Sequence, residues 1–107
     1  MSAKSLVQNF ASTVLRGQYE EAFQMLSGEA KDDWSPDAIK EAFEDMVEYF
    51  EGAAPRLDLE FDDEFGITKL DEGTLVYVPV VSDEGSEAIS GLVDHESRIV
   101  DLEFGRP

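Results

Sequence analysis

The residues best suited to acid–base chemistry in this chain are Asp94 and His95, because a histidine oriented by a carboxylate is a common general base. His95 is the one histidine of the chain. Tyr77 would add a hydroxyl group that can donate to a substrate carbonyl. However, neighbouring residues of a strand point to opposite faces, and Asp94 and His95 fall in a predicted turn. The pattern therefore favours a solvated turn histidine, and Asp94, His95 and Tyr77 are the candidate catalytic residues.

Carboxylates that could bind a hard cation occur in two places. The acidic run at residues 62–64 is dense, but its spacing is not that of a calcium-binding loop. Two further turns would fall at the same end of a β-meander and bring four carboxylates towards His95. These candidate metal ligands are Asp71, Glu72, Asp94 and Glu96. The pattern favours solvated turn charges, with weak, salt-sensitive cation binding as the alternative, and no cofactor is predicted.

Four aromatic side chains are the candidates for lining a ligand pocket. Aromatic rings provide much of the apolar surface of ligand sites, and tyrosine hydroxyls add hydrogen-bond donors. Each of the four is equally suited to the hydrophobic core, which is the commoner place for such residues. The candidates are Trp34, Phe43, Tyr49 and Tyr77.

The clearest element that would position these residues is a helix predicted over residues 35–52. Ser35 is a good N-cap, Pro36 suits the first helical position, and Gly52 is the expected stop. Apolar residues recur along it at three- and four-residue steps, so one face is expected in the core. They are Ile39, Ala42, Phe43, Met46, Val47 and Phe50.

Two shorter helices are predicted before it, over residues 2–16 and 19–26, with Gly17 in the tight joint between them. One more turn is expected at residues 29–33. We expect Trp34 to be buried as a wedge between the second helix and the helix at residues 35–52.

From residue 57 the apolar pattern changes to alternation, which is typical of strands with one solvated face. The first strand is predicted to bend at residues 63–66. The second, at residues 74–81, is apolar on both faces and is expected to be central, with a bulge or an unpaired edge at Pro79. Strands at residues 87–93 and 98–104 follow. The side chains expected to face inward are Leu57, Leu59, Phe61, Val100, Leu102 and Phe104.

These elements predict a single α+β domain over residues 1–107, with three helices packed on one face of a curved, four-stranded antiparallel β-meander. The first 17 residues lack an unbroken apolar run, so neither a secretion signal nor a membrane span is expected. The chain has no cysteine, which excludes disulfides and thiolate chemistry. Together these features favour a cytoplasmic location.

The charge is strongly negative, with 8 Lys and Arg against 25 Asp and Glu and a formal net charge of −17. Such a field repels nucleic acid phosphates and anionic lipid, so neither nucleic acid nor membrane is expected as a partner. It fits a solubility device or salt adaptation on one interpretation, and a basic protein partner or mimicry of nucleic acid on another.

The helical half, with the phrase GQYEEAFQMLS and the four strands after it, resembles small members of the nuclear-transport-factor-2-like superfamily, also described as cystatin-like α+β cones. The resemblance covers nearly the whole chain and rests on the pattern of elements. It implies a curved sheet wrapped around a helix, often with a pocket, and frequently a homodimer. Enzymes similar to this fold carry an acidic base or a His–Asp pair inside the pocket, whereas the inward positions here are apolar.

Three functions follow as hypotheses. The first is a non-catalytic domain that binds a small apolar ligand or a protein partner through the cone mouth or the exposed sheet face, possibly as a homodimer through the sheet. The second is an isomerase- or dehydratase-like enzyme that uses Asp94, His95 and Tyr77. The third is an acidic inhibitor of a basic protein.

Overall fold

Four helices form the N-terminal half of the computed structural model, which describes residues 2–59 and 66–105. They are α1 (Ala3–Leu15), α2 (Tyr19–Gln24), α3 (Gly28–Asp33) and α4 (Pro36–Val47), and a 3-10 turn, Glu48–Phe50, follows α4. Ser2, Ser27 and Ser35 cap α1, α3 and α4 by accepting a backbone N–H three residues on. The turn predicted at residues 29–33 is thus a separate helix, because Ser27 caps it.

The C-terminal half forms an antiparallel sheet with five strands in the described part of the chain. They are β1 (Arg56–Leu57), β2 (Ile67–Leu70), β3 (Gly73–Ser82), β4 (Gly85–Val93) and β5 (Ile99–Phe104). β1 and β2 pair with different stretches of the same edge of β3, and β4 and β5 follow on the other side. Strands β1 and β2 correspond to the two ends of the first predicted strand. The α+β class and the meander are confirmed. The acidic run at residues 62–64, most of the bend predicted at residues 63–66 and the inward position predicted for Phe61 lie outside the described residues.

Pro79 affects the hydrogen bonding of β3 only on the side that faces β1 and β2. Pairing of β3 with β4 runs unbroken through Pro79, so the predicted bulge there is wrong. The Pro79 carbonyl accepts the Asp58 N–H at 3.0 Å on the β1 side. Since the N and C=O of one residue point to the same side of a strand, the missing N–H also faces that edge. The described residues of β1 and β2 give Tyr77 and Val78 no ladder partner on this edge, whereas Pro79 accepts the bond from Asp58, so the predicted unpaired edge is confirmed only in part.

The helices bury one face of the sheet. Val7, Phe10 and Val14 of α1 are fully buried in one core cluster with Val76 and Val78 of β3. α1 approaches closely over Gly91, where an added Cβ would lie 2.9 Å from a methyl group of Val7. The core therefore fills the side of the sheet on which a cone pocket would lie.

The predicted inward positions are right for β5 in part and wrong for Leu59. Leu102 is buried and Phe104 is partly buried against the core, but Leu59 is 53% exposed because β1 ends at Leu57. The pairing of β4 with β5 shifts at Leu92/Val93, where Val100 is an extra residue. This bulge turns Ile99 into the core, which simple alternation does not predict.

Trp34 is half-buried. The prediction that it is buried is therefore only partly right. Trp34 lies between α3 and α4, and its ring centroid is 5.5 Å from that of Phe104. The ring therefore packs on the end of β5 as well as beside the helices. None of the described helices has the length and apolar composition needed to cross a membrane.

Candidate functional site

The alternation of β3 produces a second apolar surface, opposite the helices. Val76, Val78 and Val80 are completely buried, whereas the residues between them are only partly buried. The register with β4 continues this second surface across the sheet. We call it the open sheet face and define it by Leu75, Tyr77, Pro79, Val81, Ala88, Ser90 and Leu92. Within the described ranges, the helices contact the other face, and none of these seven residues belongs to the core cluster.

Small residues lie at the middle of the open sheet face. Ala88 is fully buried and Ser90 is nearly so, although neither belongs to the core cluster. A shallow hollow of about 40 Å³ lies over Ser90 between Leu75 and Leu92. The face is thus an apolar surface with a small central depression, and it is not a deep pocket.

The border of this face along β5 is acidic. Asp101 pairs with Leu92 and Glu103 pairs with Ser90, which places both carboxylates on the same side of the sheet as the apolar residues. Both are exposed. Asp101 also accepts the N–H of Leu102 at 2.9 Å, so it occupies a backbone donor of the sheet's edge strand. A partner strand would have to displace this bond, and β5 is therefore a poor template for sheet extension.

The two acidic turns meet at one end of the sheet. His95 Nε2 lies 2.8 Å from the carbonyl oxygen of Asp71, and because a carbonyl only accepts, this nitrogen carries the proton. The histidine therefore joins the β2–β3 turn to the β4–β5 turn. Across residues 2–59 and 66–105, there is no cluster of three or more histidine and carboxylate side chains arranged to hold a metal ion.

Asp94 stabilises its own turn. Its carboxylate accepts backbone N–H groups of Glu96 and Arg98 at 3.0 and 2.9 Å, and it forms an ion pair with the Arg98 guanidinium at 2.8 Å. Desolvation alone would raise the pKa of Asp94, but the bonds from Arg98 and Glu96 and the charge of Arg98 outweigh it and lower the pKa. The group is held as a carboxylate, and the bonds described for it are made by Glu96 and Arg98 and not by His95.

The three candidate catalytic residues are not brought together. Tyr77 pairs with Ser90 in the middle of the sheet, three residues along β3 from the Thr74–Val93 pair that precedes Asp94. That separation is about 10 Å along the strand. His95 bonds to Asp71, and Asp94 bonds to Arg98. No acid–base pair with a hydroxyl donor beside it forms from these three residues in the described structure.

A groove beside α4 holds one of the candidate pocket residues, Phe43. It has a volume of about 440 Å³ and lies between α4, the start of α2 and the chain that leads to β1. We call it the α4 groove; its lining residues are Leu15, Tyr19, Phe43, Glu44, Val47, Glu48, Gly52, Ala53, Ala54 and Pro55. Burial, and secondarily the charge of Glu44, raises the pKa of the Tyr19 hydroxyl. The side chain of Tyr49 is outside the described part of the structure.

A second, more acidic cleft lies where α3 meets the end of the sheet. It has a volume of about 430 Å³, and its floor is formed by Leu92 and Val100. The carboxylates around it are Glu29, Asp33, Glu72, Asp94 and Asp101. Glu72 and Asp94 were expected at this end of the sheet, whereas Glu29, Asp33 and Asp101 were not. The cap at Ser27 indicates where α3 starts and so places Glu29 and Asp33 on that helix. The packing of α3 on β5, which brings them near Asp101, depends on contacts distant in sequence.

The candidate pocket residues thus lie in separate places. Phe43 lines the α4 groove, Trp34 contacts Phe104 on the helix side, and Tyr77 is on the open sheet face. Residues of β4 and β5 that border the open sheet face were not singled out by the sequence. A comparison of this chain with family models, curated proteins and solved structures finds no match.

Proposed function

We propose that this chain is a non-catalytic binding domain whose open sheet face receives a basic protein partner. The proposal rests on one observation: β3 is apolar on both faces, but the described helices cover only one of them. A contiguous apolar surface with a polar border is typical of a protein interaction site.

The charge supports a basic partner over a second copy. Asp101 and Glu103 border the open sheet face, and the chain carries a net charge of −17. Two copies that met through this face would bring like charges together, which favours dissociation at low salt. A partner with apolar residues flanked by lysine or arginine would contact the apolar face and also pair with its acidic border, and both contacts favour binding. Homodimerisation through the sheet remains the alternative, and it would strengthen as salt screens the repulsion.

The size of the face suggests a weak or transient complex. Nine paired residues along the two strands β3 and β4 give roughly 30 by 10 Å, or about 300 Å² per partner. Standard stable interfaces bury about 800 Å² per partner. We therefore expect micromolar affinity with fast exchange, and stronger binding only where the partner also contacts the β5 border.

The other hypotheses have less support. An isomerase- or dehydratase-like activity needs Asp94, His95 and Tyr77 to converge, and their separate bonding partners disfavour it. An acidic inhibitor of a basic protein would use the same surface and is a special case of the proposal. We also propose membership of the nuclear-transport-factor-2-like superfamily, which an experimental structure would test through the curvature of the sheet around α1.

The test is calorimetric titration with a defined probe, a short peptide of alternating lysine and leucine, at low and high salt. A peptide with glutamate for lysine serves as the matched probe. We expect the basic peptide to bind and to weaken at least tenfold from 20 to 300 mM salt, and the acidic peptide not to bind.

Tyr77→Glu places a charge in the centre of the open sheet face and should abolish binding. Lys40→Gln, on the exposed side of α4, makes the same change in net charge and should not weaken it. Equal binding of both peptides, or of the Tyr77→Glu variant and the wild type, would contradict the proposal.

A further inference from the structure

We infer that the α4 groove is a binding site for a small apolar molecule that carries a protonated amine. This site is separate from the open sheet face, because it lies among the helices and shares no residue with that face. It does not depend on the proposed function.

The apolar part of the ligand is specified by the walls of the groove. Leu15, Val47, Ala53 and Pro55 supply aliphatic surface, and Tyr19 and Phe43 supply two aromatic rings. The volume of about 440 Å³ lies within the range of about 300–1,000 Å³ that is usual for small-molecule pockets. A single ring or a short alkyl chain would fit.

The charge of the ligand is specified by the two carboxylates of the lining. Glu44 and Glu48 lie one turn apart on α4 and its 3-10 extension, and none of the described lining residues is basic. Neither carboxylate forms an ion pair with a basic side chain among the residues that the structure describes. The pKa of Tyr19 is raised first by burial and second by the charge of Glu44, which agrees with a negative potential at the aromatic wall. A cation gains from both carboxylates, whereas an anion is repelled.

The length of the groove favours a small molecule over a peptide helix. The lining residues of α4 and its 3-10 extension run from Phe43 to Glu48, about 8 Å along the helix axis. A docked helix uses anchors at i, i+4 and i+7, which span about 10 Å and need a longer trough. The loop at residues 52–55 closes one side of the groove.

The experiment compares three molecules with the same phenyl body: phenethylamine, 2-phenylethanol and 3-phenylpropionate. Each is titrated into ¹⁵N-labelled protein and followed by amide chemical shifts. We expect saturable shifts near Tyr19, Phe43 and Ala54 with the amine, weaker shifts with the alcohol, and none with the carboxylate. Equal binding of the amine and the carboxylate would overturn the inference, and so would unsaturable shifts spread over all acidic surfaces.

Variants locate the binding. Ala54 is exposed, so Ala54→Trp can fill the groove without entering the core, and it should abolish saturable binding. Glu44→Gln should weaken binding of the amine roughly two- to fivefold, as expected for an exposed charge pair, and should leave binding of the alcohol unchanged. Glu41→Gln removes the same charge from an exposed position of α4 outside the lining and should have no effect. Wild-type affinity in both Ala54→Trp and Glu44→Gln would overturn the assignment.

Discussion

The two faces of β3 carry similar apolar residues but have different surroundings. On one face Val76, Val78 and Val80 are fully buried by the helices, and on the other Leu75, Tyr77 and Val81 remain partly exposed. The covered face needs its residues for folding. The described helices leave the open face uncovered, and its apolar residues support the proposed role in binding. The comparison predicts that substitutions on the covered face cost stability, whereas substitutions on the open face cost binding.

The largest difference in stability between the two faces should appear when one aromatic ring is removed from each face. Phe10 of α1 is fully buried over the covered face, and Phe10→Ala should lower the free energy of unfolding by about 3–5 kcal/mol. Tyr77→Ala, on the open face, should lower it by about 1 kcal/mol or less. Urea unfolding followed by circular dichroism measures both. Equal losses would mean that the open face is part of the core.

The close approach of α1 to the covered face can be tested at Gly91. An added Cβ would lie 2.9 and 3.2 Å from the two Val7 methyl carbons, and a buried, β-branched valine cannot turn away easily. Gly91→Ala should therefore cost about 1–3 kcal/mol of stability. Adding Val7→Ala should recover part of this loss, which the double-mutant cycle measures. Strict additivity of the two substitutions would refute the contact.

A smaller effect is expected at the turn that closes the acidic end of the sheet. Because the folded-state pKa of Asp94 is lowered, its stabilisation is present above the unfolded-state pKa and is lost as the pH falls through the folded-state pKa. Asp94→Asn should therefore lower the urea midpoint more at pH 7 than at pH 2, because the wild type loses this stabilisation as its carboxyl is protonated. A constant difference at both pH values would show that hydrogen-bond geometry, and not charge, is responsible.

Local signals predicted the elements more completely than the surfaces they form. Ser35 and Pro36 start α4 as expected, and the apolar run of β3 lies in the centre of the sheet. The predicted helix over residues 35–52 ends as an α-helix at Val47 and continues as a 3-10 turn, which gives way to left-handed residues at Glu51 and Gly52. These features depend on neighbours in sequence, which is why a single chain reveals them.

The candidate sites were harder to predict because they depend on register and packing. The bulge at Val100 changes the parity of β5, and no local motif indicates it. Tyr19 and Phe43 line the same groove only because α2 packs on α4. The apolar character of β3 on both faces was correctly taken as a sign of a central strand. It did not indicate that only one of those faces would be covered by the described helices.

The most direct test of the open sheet face is methyl NMR during titration with the lysine–leucine peptide. Methyl groups of Leu75, Val81 and Leu92 lie on the open sheet face, and those of Val76, Val78 and Val80 lie on the covered face of the same sheet. We expect the first three residues to shift with the peptide and the last three to stay in place. Equal shifts on both faces, or shifts restricted to the helical half of the chain, would contradict a binding role for the open sheet face.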